Sequence, residues 1–151
     1  MQLQTKYFGK IECQEEKVLH FPRGFFGFET EKEFLLLPFE GSDETLLCFQ
    51  SVQTPSLAFI AMNPFSLHPG YAPRLAQDDL DFMQVSQSED LCYYVLCAVK
   101  NPVSESTVNL KCPVAVNPDI CQGVQVILDT DEYHMRHRLA EFQMKGSDGS
   151  C

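Results

Sequence analysis

The chain has 151 residues, 44% apolar and 21% charged, and its 21 acidic side chains against 11 basic ones leave a net charge of −10. That length supports one domain with its own hydrophobic core. The charge repels nucleic acid and anionic membrane and attracts basic partners, and no run of 18 apolar residues is present to cross a bilayer as a helix.

Read from the N-terminus, short β-like runs alternate with turn residues. LQTKYF at 3–8 alternates as a strand, Gly9 turns it, and KIEC at 10–13 runs back. The opening residues carry no signal-peptide pattern, which points to a cytoplasmic protein. KVLHF at 17–21 leads into FPRGFFGFE, 21–29, where Phe21, Phe25, Phe26 and Phe28 crowd between Pro22, Gly24 and Gly27. Phenylalanine favours burial, whereas glycine and proline favour a surface turn. Phe21 and Phe28 adjoin strands and are expected in the core. Phe25 and Phe26 are adjacent and cannot easily both point inward, so at least one is expected at the surface, open to a partner.

FLLLPF at 34–39, TLLCFQSV at 45–52 and LAFIAM at 57–62 are continuous apolar runs, as in strands buried on both faces. NPFSLHPGYAP, 63–73, reads as a long loop. RLAQDDLDFMQV, 74–85, is the one helical segment, about two turns, with Leu75, Leu80, Phe82 and Met83 among carboxylates. LCYYVLCAV at 91–99 is the strongest strand. In STVNLKCPVAVN, 106–117, Pro113 removes a ladder donor, so that strand lies at an edge or bulges where a barrel bends. GVQVIL at 123–128 completes the series. The pattern predicts an all-β domain, a small antiparallel β-barrel or sandwich with one short helix, over 1–145, and a disordered tail over 146–151.

The seven cysteines, at 13, 48, 92, 97, 112, 121 and 151, are odd in number and form no CxxC. Cys92 and Cys97 are five apart on a strand, face opposite ways and cannot share a metal. Most are expected as small buried hydrophobes in a reducing cytoplasm, with Cys151 exposed in the tail. Neither metal nor cofactor is expected. GxSxG, HExxH, P-loop and GxGxxG motifs are lacking, and the clusters Asp78-Asp79-Asp81 and Asp129-Asp131-Glu132 do not continue into a calcium loop. They read as a solvated helix start and a solvated turn. His20, within a strand pattern, is expected to be structural, and HMRHR at 134–138, the one basic concentration, is expected to pair with the protein's own carboxylates. An enzyme is disfavoured, a hydrolase assembled in space being the alternative. The residues alone lead to an acidic β-domain that binds something.

Taken together and in order, TKYFG, FPRGFFGFE, FLLLPF, CFQSV, LAFIAMNPF, STVNLKCPVAVN, GVQVIL and YHMRHRL resemble the FliW family of flagellar assembly factors, from Thr5 to Leu139. The family often carries Leu-Pro where this chain has Phe25-Phe26, and alanine at the position of Cys112. The resemblance implies a non-enzymatic β-barrel-like protein of the cytoplasm that binds flagellin as a chaperone. It also implies binding of the translational repressor CsrA, which relieves repression of flagellin synthesis, without direct binding of nucleic acid. A flagellin-only or generic export chaperone is the alternative. The expected contact residues are Phe25 and Phe26 for flagellin, and Asp78, Asp79, Asp81, Glu89 and Asp90 for the basic repressor.

Overall fold

The structure is a computed structural model that describes residues 1–39, 46–102 and 105–142. The tail expected from Gly146, with Cys151, lies outside these residues. Strands β1 (Gln2–Gln4) and β2 (Lys10–Glu12) form a hairpin of their own. The others are β3 (Leu19–His20), β4 (Glu33–Pro38), β5 (Leu46–Ser51), β6 (Ala58–Met62), β7 (Cys92–Ala98), β8 (Thr107–Val108), β9 (Val114–Asn117), β10 (Gln122–Gln125) and β11 (His137–Arg138). Seven of them close a barrel in the order β7-β6-β5-β4-β3-β10-β9, with β9 returning to β7. All the pairings are antiparallel except β3 with β10, which is parallel and rests on the His20–Gln122 pair. β8 and β11 extend the sheet from the far end of β7.

The continuous apolar runs are explained by cover on both sides of the wall. Along β4, Phe34 and Leu36 belong to the barrel interior, whereas Leu35 and Leu37 pack outward with Leu3, Ile11 and Val18 under the β1–β2 hairpin. Along β7, Tyr94 and Leu96 face the interior, and Tyr93, Val95 and Cys97 face a second core beneath residues 63–91. The period of two is intact; both faces are simply apolar.

The interior is aromatic. Phe21, Phe25, Phe34 and Phe49 are fully buried, with ring centroids 4.7 to 5.9 Å apart. Phe21 has room because β10 presents Gly123 beneath it: a Cβ there would lie 2.4 Å from the Phe21 ring.

Pro113 marks the bulge anticipated for a bending barrel. Cys97 pairs with Val108 and Tyr94 with Val114, so residues 110–113 stand opposite Val95 alone. The extra residues find partners elsewhere: Leu110 and Lys111 N–H donate to the His134 carbonyl, and the Lys111 carbonyl accepts from Leu128 N–H. β9 is an interior strand of the barrel, not an edge.

The helical content exceeds the single helix expected. α1 (Pro64–Leu67) forms within the proline-rich segment read as loop, because Asn63 accepts from Phe65 N–H and Pro64 occupies the first turn, where no N–H is needed. α2 (Gln77–Phe82) is shorter than the 74–85 expected. It ends where Gln84 takes a left-handed conformation (φ 58°), with Val85 N–H donating to Leu80 O and Gln84 N–H to Asp81 O, the paired bonds of a Schellman stop. Residues 139–142 are also helical.

The cysteines divide more evenly than expected: Cys48 and Cys112 are buried, Cys13, Cys97 and Cys121 half-buried, and Cys92 exposed. Cys92 loses its cover because it opens β7 at the barrel rim, and burial pushes the Cys48 thiol up to about 11. The basic HMRHR segment pairs with carboxylates in part: His137 lies 3.5 Å from Glu141 and Arg138 bonds Glu105, whereas His134 stacks on His137. His20 sits 3.7 Å from Glu33 across the β3–β4 pair.

Filling position 123 is the most direct disturbance of this core. Gly123→Ala is expected to displace Phe21 and cost about 1–3 kcal/mol, the usual range for overpacking, read as a lower denaturant midpoint in equilibrium unfolding.

Candidate functional site

FPRGFFGFE folds as two consecutive turns that lid the barrel. In the first, Gly24 N–H donates to Phe21 O at 2.8 Å. Gly24 has φ +66° and a Cβ would lie 2.6 Å from the Phe28 carbonyl, so both conformation and space require glycine. In the second, Phe25 and Phe28 pair across a two-residue tip, with Phe28 N–H donating to Phe25 O at 2.8 Å. Gly27 at the tip has φ +85°, the third-position conformation that a type II turn reserves for glycine.

This geometry answers which ring is presented. Phe25, at the base of the turn, enters the barrel and stacks on Phe59 at 4.7 Å, leaving it 1% exposed. Phe26, at the tip, is 48% exposed. Of the two aromatic candidates, only Phe26 offers surface to a partner. Phe28 corrects the expectation of burial: it is 41% exposed, lying edge-on against Phe59 on the rim, because its cross-strand neighbour Phe25 has already taken the interior position.

Several polar bonds immobilise the tip. Phe26 N–H donates to Gln125 Oε1 at 3.0 Å, and Gln125 Nε2 reaches the Cys112 carbonyl in the β8–β9 bulge. Gln125 is buried, and its bond to Cys112 forms away from water, where an unpaired amide is costly. Glu29 Oε2 accepts from Gly27 N–H at 3.0 Å. That backbone donor, with the N–H of Glu29 itself, holds the Glu29 carboxyl below the usual glutamate range, and Lys32 adds to the effect.

The acidic helix stands beside this turn. Arg23 donates to Asp79 at 3.2 Å, and its guanidinium lies 3.9 Å from the centre of the Phe82 ring. The other end of α2 is held by the barrel wall, Gln122 Nε2 bonding Phe82 O and Asn117 Nδ2 bonding Met83 O. Asp79 is therefore engaged and Asp81 accepts from Gln77, while Asp78 stands free in solvent. Arg23, Phe26, Asp79 and Gln125 line a groove of about 300 Å³ whose opposite lip is Ile127, 60% exposed.

Glu89 and Asp90 lie elsewhere, on a 3-10 turn at Ser88–Asp90 before β7, and Glu89 lines a different cavity. The seven candidates thus fall into one buried ring, one presented ring with a helix beside it, and a separate acidic turn. Sequence reasoning missed Arg23, Gln125 and Ile127. A lone arginine between acidic neighbours in space leaves no local pattern, but the period of two in GVQVIL sets Ile127 on the face opposite Val124 and Val126.

An exposed aromatic ring, an acidic helix beside it and one groove between them thus stand on a closed seven-stranded β-barrel. The FliW protein family model matches residues 2–139. The flagellar assembly factor FliW of Geobacillus kaustophilus is 39% identical over 139 residues, which cover 92% of this chain and 95% of that relative. That of Caldanaerobacter subterraneus is 34% identical over 141 residues, 93% of this chain and 94% of the relative. A crystal structure of the flagellar assembly factor FliW superposes with a TM-score of 0.85 at 37% identity, over 92% of this chain and 96% of that one. The chain belongs to the FliW family of flagellar assembly factors. Among the described residues, no helix is long and apolar enough to cross a membrane.

The Glu29 bond carries a pH signature with a definite sign. A carboxyl whose folded pKa is depressed adds stability above its unfolded value, about 4.3 for glutamate, and loses it as pH falls through the lower folded value. Glu29→Gln should therefore be less stable than the parent at neutral pH, with the difference closing as pH drops below the usual glutamate range. Denaturant unfolding at a series of pH values measures this, and a constant difference would refute it.

Proposed function

We propose that this protein acts in the cytoplasm as a binding partner of flagellin and of the translational repressor CsrA. Held by flagellin, it protects the filament subunit before export. Released when flagellin leaves, it captures the repressor and relieves repression of flagellin synthesis. The observation that carries this reading is membership in a family of flagellar assembly factors by a chain of net charge −10. A repressor that grips RNA phosphates is basic, and an acidic partner is drawn to it by the long-range field.

The geometry supports a division of labour. Phe26 and Ile127 are apolar and exposed, Phe26 on a bonded N–H and Ile127 between Val126 and Leu128, whose N–H groups are bonded, so burying them against flagellin costs little ordering entropy. With Asp79 engaged by Arg23, the charges free to steer the repressor are Asp78, Asp81, Glu89 and Asp90.

Calorimetric titration with flagellin and with CsrA, separately and then together, tests the reading. Both are expected to bind, each weakening the other. Binding of flagellin alone would leave an export chaperone and remove the regulatory half, and binding of neither would overturn the whole. Phe26→Ala, whose ring lies outside the core, is expected to weaken flagellin about tenfold or more, as loss of an aromatic anchor does. Neutralising these four carboxylates is expected to slow association with CsrA and flatten its salt dependence.

A further inference from the structure

The segment NPFSLHPGYAPR builds two cavities that the Phe26 surface does not use. One, of about 330 Å³, is walled by Phe65, Tyr71, Leu91 and Tyr93, with Arg74 and Glu89 at its mouth. The other, of about 370 Å³, lies between Gly70, Arg74 and the turn that carries Asp129, Thr130 and Glu132. Ala72 and Arg74 line both, so the two cavities lie on either side of one ridge of chain.

The ridge is fixed. Tyr71 hydroxyl donates to the Leu110 carbonyl in the β8–β9 bulge at 2.6 Å, and Ala72 N–H donates to the Tyr133 hydroxyl at 3.0 Å. Tyr93 hydroxyl donates to the Ser88 carbonyl at 2.6 Å. With these donors engaged internally, Tyr71 and Tyr93 contribute ring surface to the first cavity, beside Phe65, which is 40% exposed.

Around the ridge the charged groups share the cavities without forming contact ion pairs. Among the described residues, Glu89, Asp129 and Glu132 have no basic side chain within 4.0 Å, and Arg74 has no acidic one. An aromatic wall beside an unpaired carboxylate is the surrounding that a guanidinium or ammonium seeks, through the ring face and the charge together. This molecule already shows the chemistry, since Arg23 is held by the Phe82 ring and the Asp79 carboxylate.

We propose that the double cavity astride residues 71–74 is the seat of an extended basic peptide segment of a protein partner. One Arg or Lys enters the aromatic cavity toward Glu89, and a second enters the other toward Asp129 and Glu132. Arg74, between them, donates to the carbonyls of the segment as it crosses the ridge. Nucleic acid is repelled by the same carboxylates, and so is a second copy of this acidic chain. The inference deepens the reading above, on which it rests for the existence of a basic protein partner.

The test is titration of the full chain with the synthetic peptide acetyl-Arg-Ala-Arg-Ala-Arg-amide, followed by amide chemical-shift mapping. Shifts are expected at 70–74, 88–91 and 128–133, and weaker binding is expected from the citrulline version of the peptide. The triple change Glu89→Gln, Asp129→Asn, Glu132→Gln should weaken binding about tenfold, three carboxylates each adding a modest share. The equal-charge control Glu12→Gln, Glu15→Gln, Glu16→Gln, on the hairpin side, should change it about twofold or less, the general effect of net charge. Equal losses in the two triples, or shifts centred elsewhere, would overturn the proposal. CsrA binding that the first triple leaves intact would remove the cavities while sparing the reading above. A peptide that maps here although CsrA does not bind would do the reverse.

Discussion

The barrel depends on an absence. Phe21 lies where a side chain at position 123 would be, and around it Phe25, Phe34 and Phe49 fill the interior with ring against ring. Full burial of each ring is worth about 1.5–3 kcal/mol, so this cluster is a large part of what holds seven short strands together. The same cluster sets the position of the aromatic turn. Phe25 is locked inside, which forces its neighbour Phe26 outward at the tip. Core packing and surface display are thus two results of one chain reversal, and the exposed ring inherits the rigidity of the buried one.

The elements around the turn share that rigidity. Arg23 ties it to α2, Gln125 ties it to the β8–β9 bulge, and the far end of α2 is bonded to β9 and β10 through Asn117 and Gln122. The bulge also receives the Tyr71 hydroxyl from the proline-rich segment. A surface built this way meets a partner already ordered, so little of the binding free energy goes into arranging it.

Much of the fold was legible because period-two patterning and turn chemistry are local. Every strand run read from the sequence corresponds to a strand, and Pro113 announced the bulge. The strands proved shorter than their apolar runs, since a run of buried residues continues into loops that pack as well as strands do. Asn63-Pro64 encodes a helix start that was hidden inside a segment dense in proline. The site was less legible. Exposure of one ring of Phe25-Phe26 follows from adjacency, but which ring depends on the Phe25–Phe28 pairing across the tip. The five carboxylates looked like one surface in sequence, yet α2 and the Ser88–Asp90 turn carry them to different places, and Asp79 is taken by an arginine 56 residues away.

The barrel closes at its weakest line. β3 meets β10 through one residue pair and the His20 N–H donated to Cys121, whereas β4 and β5 share five paired positions. The segments at that seam are about a hundred residues apart in sequence, and the meander from β4 to β6 is local. Folding therefore has an order written into its topology: the meander forms at small entropic cost and the seam last, after the longest loop is closed. Partial opening runs the other way, parting first where β3 meets β10 and uncovering the phenylalanines before the rest of the sheet gives way.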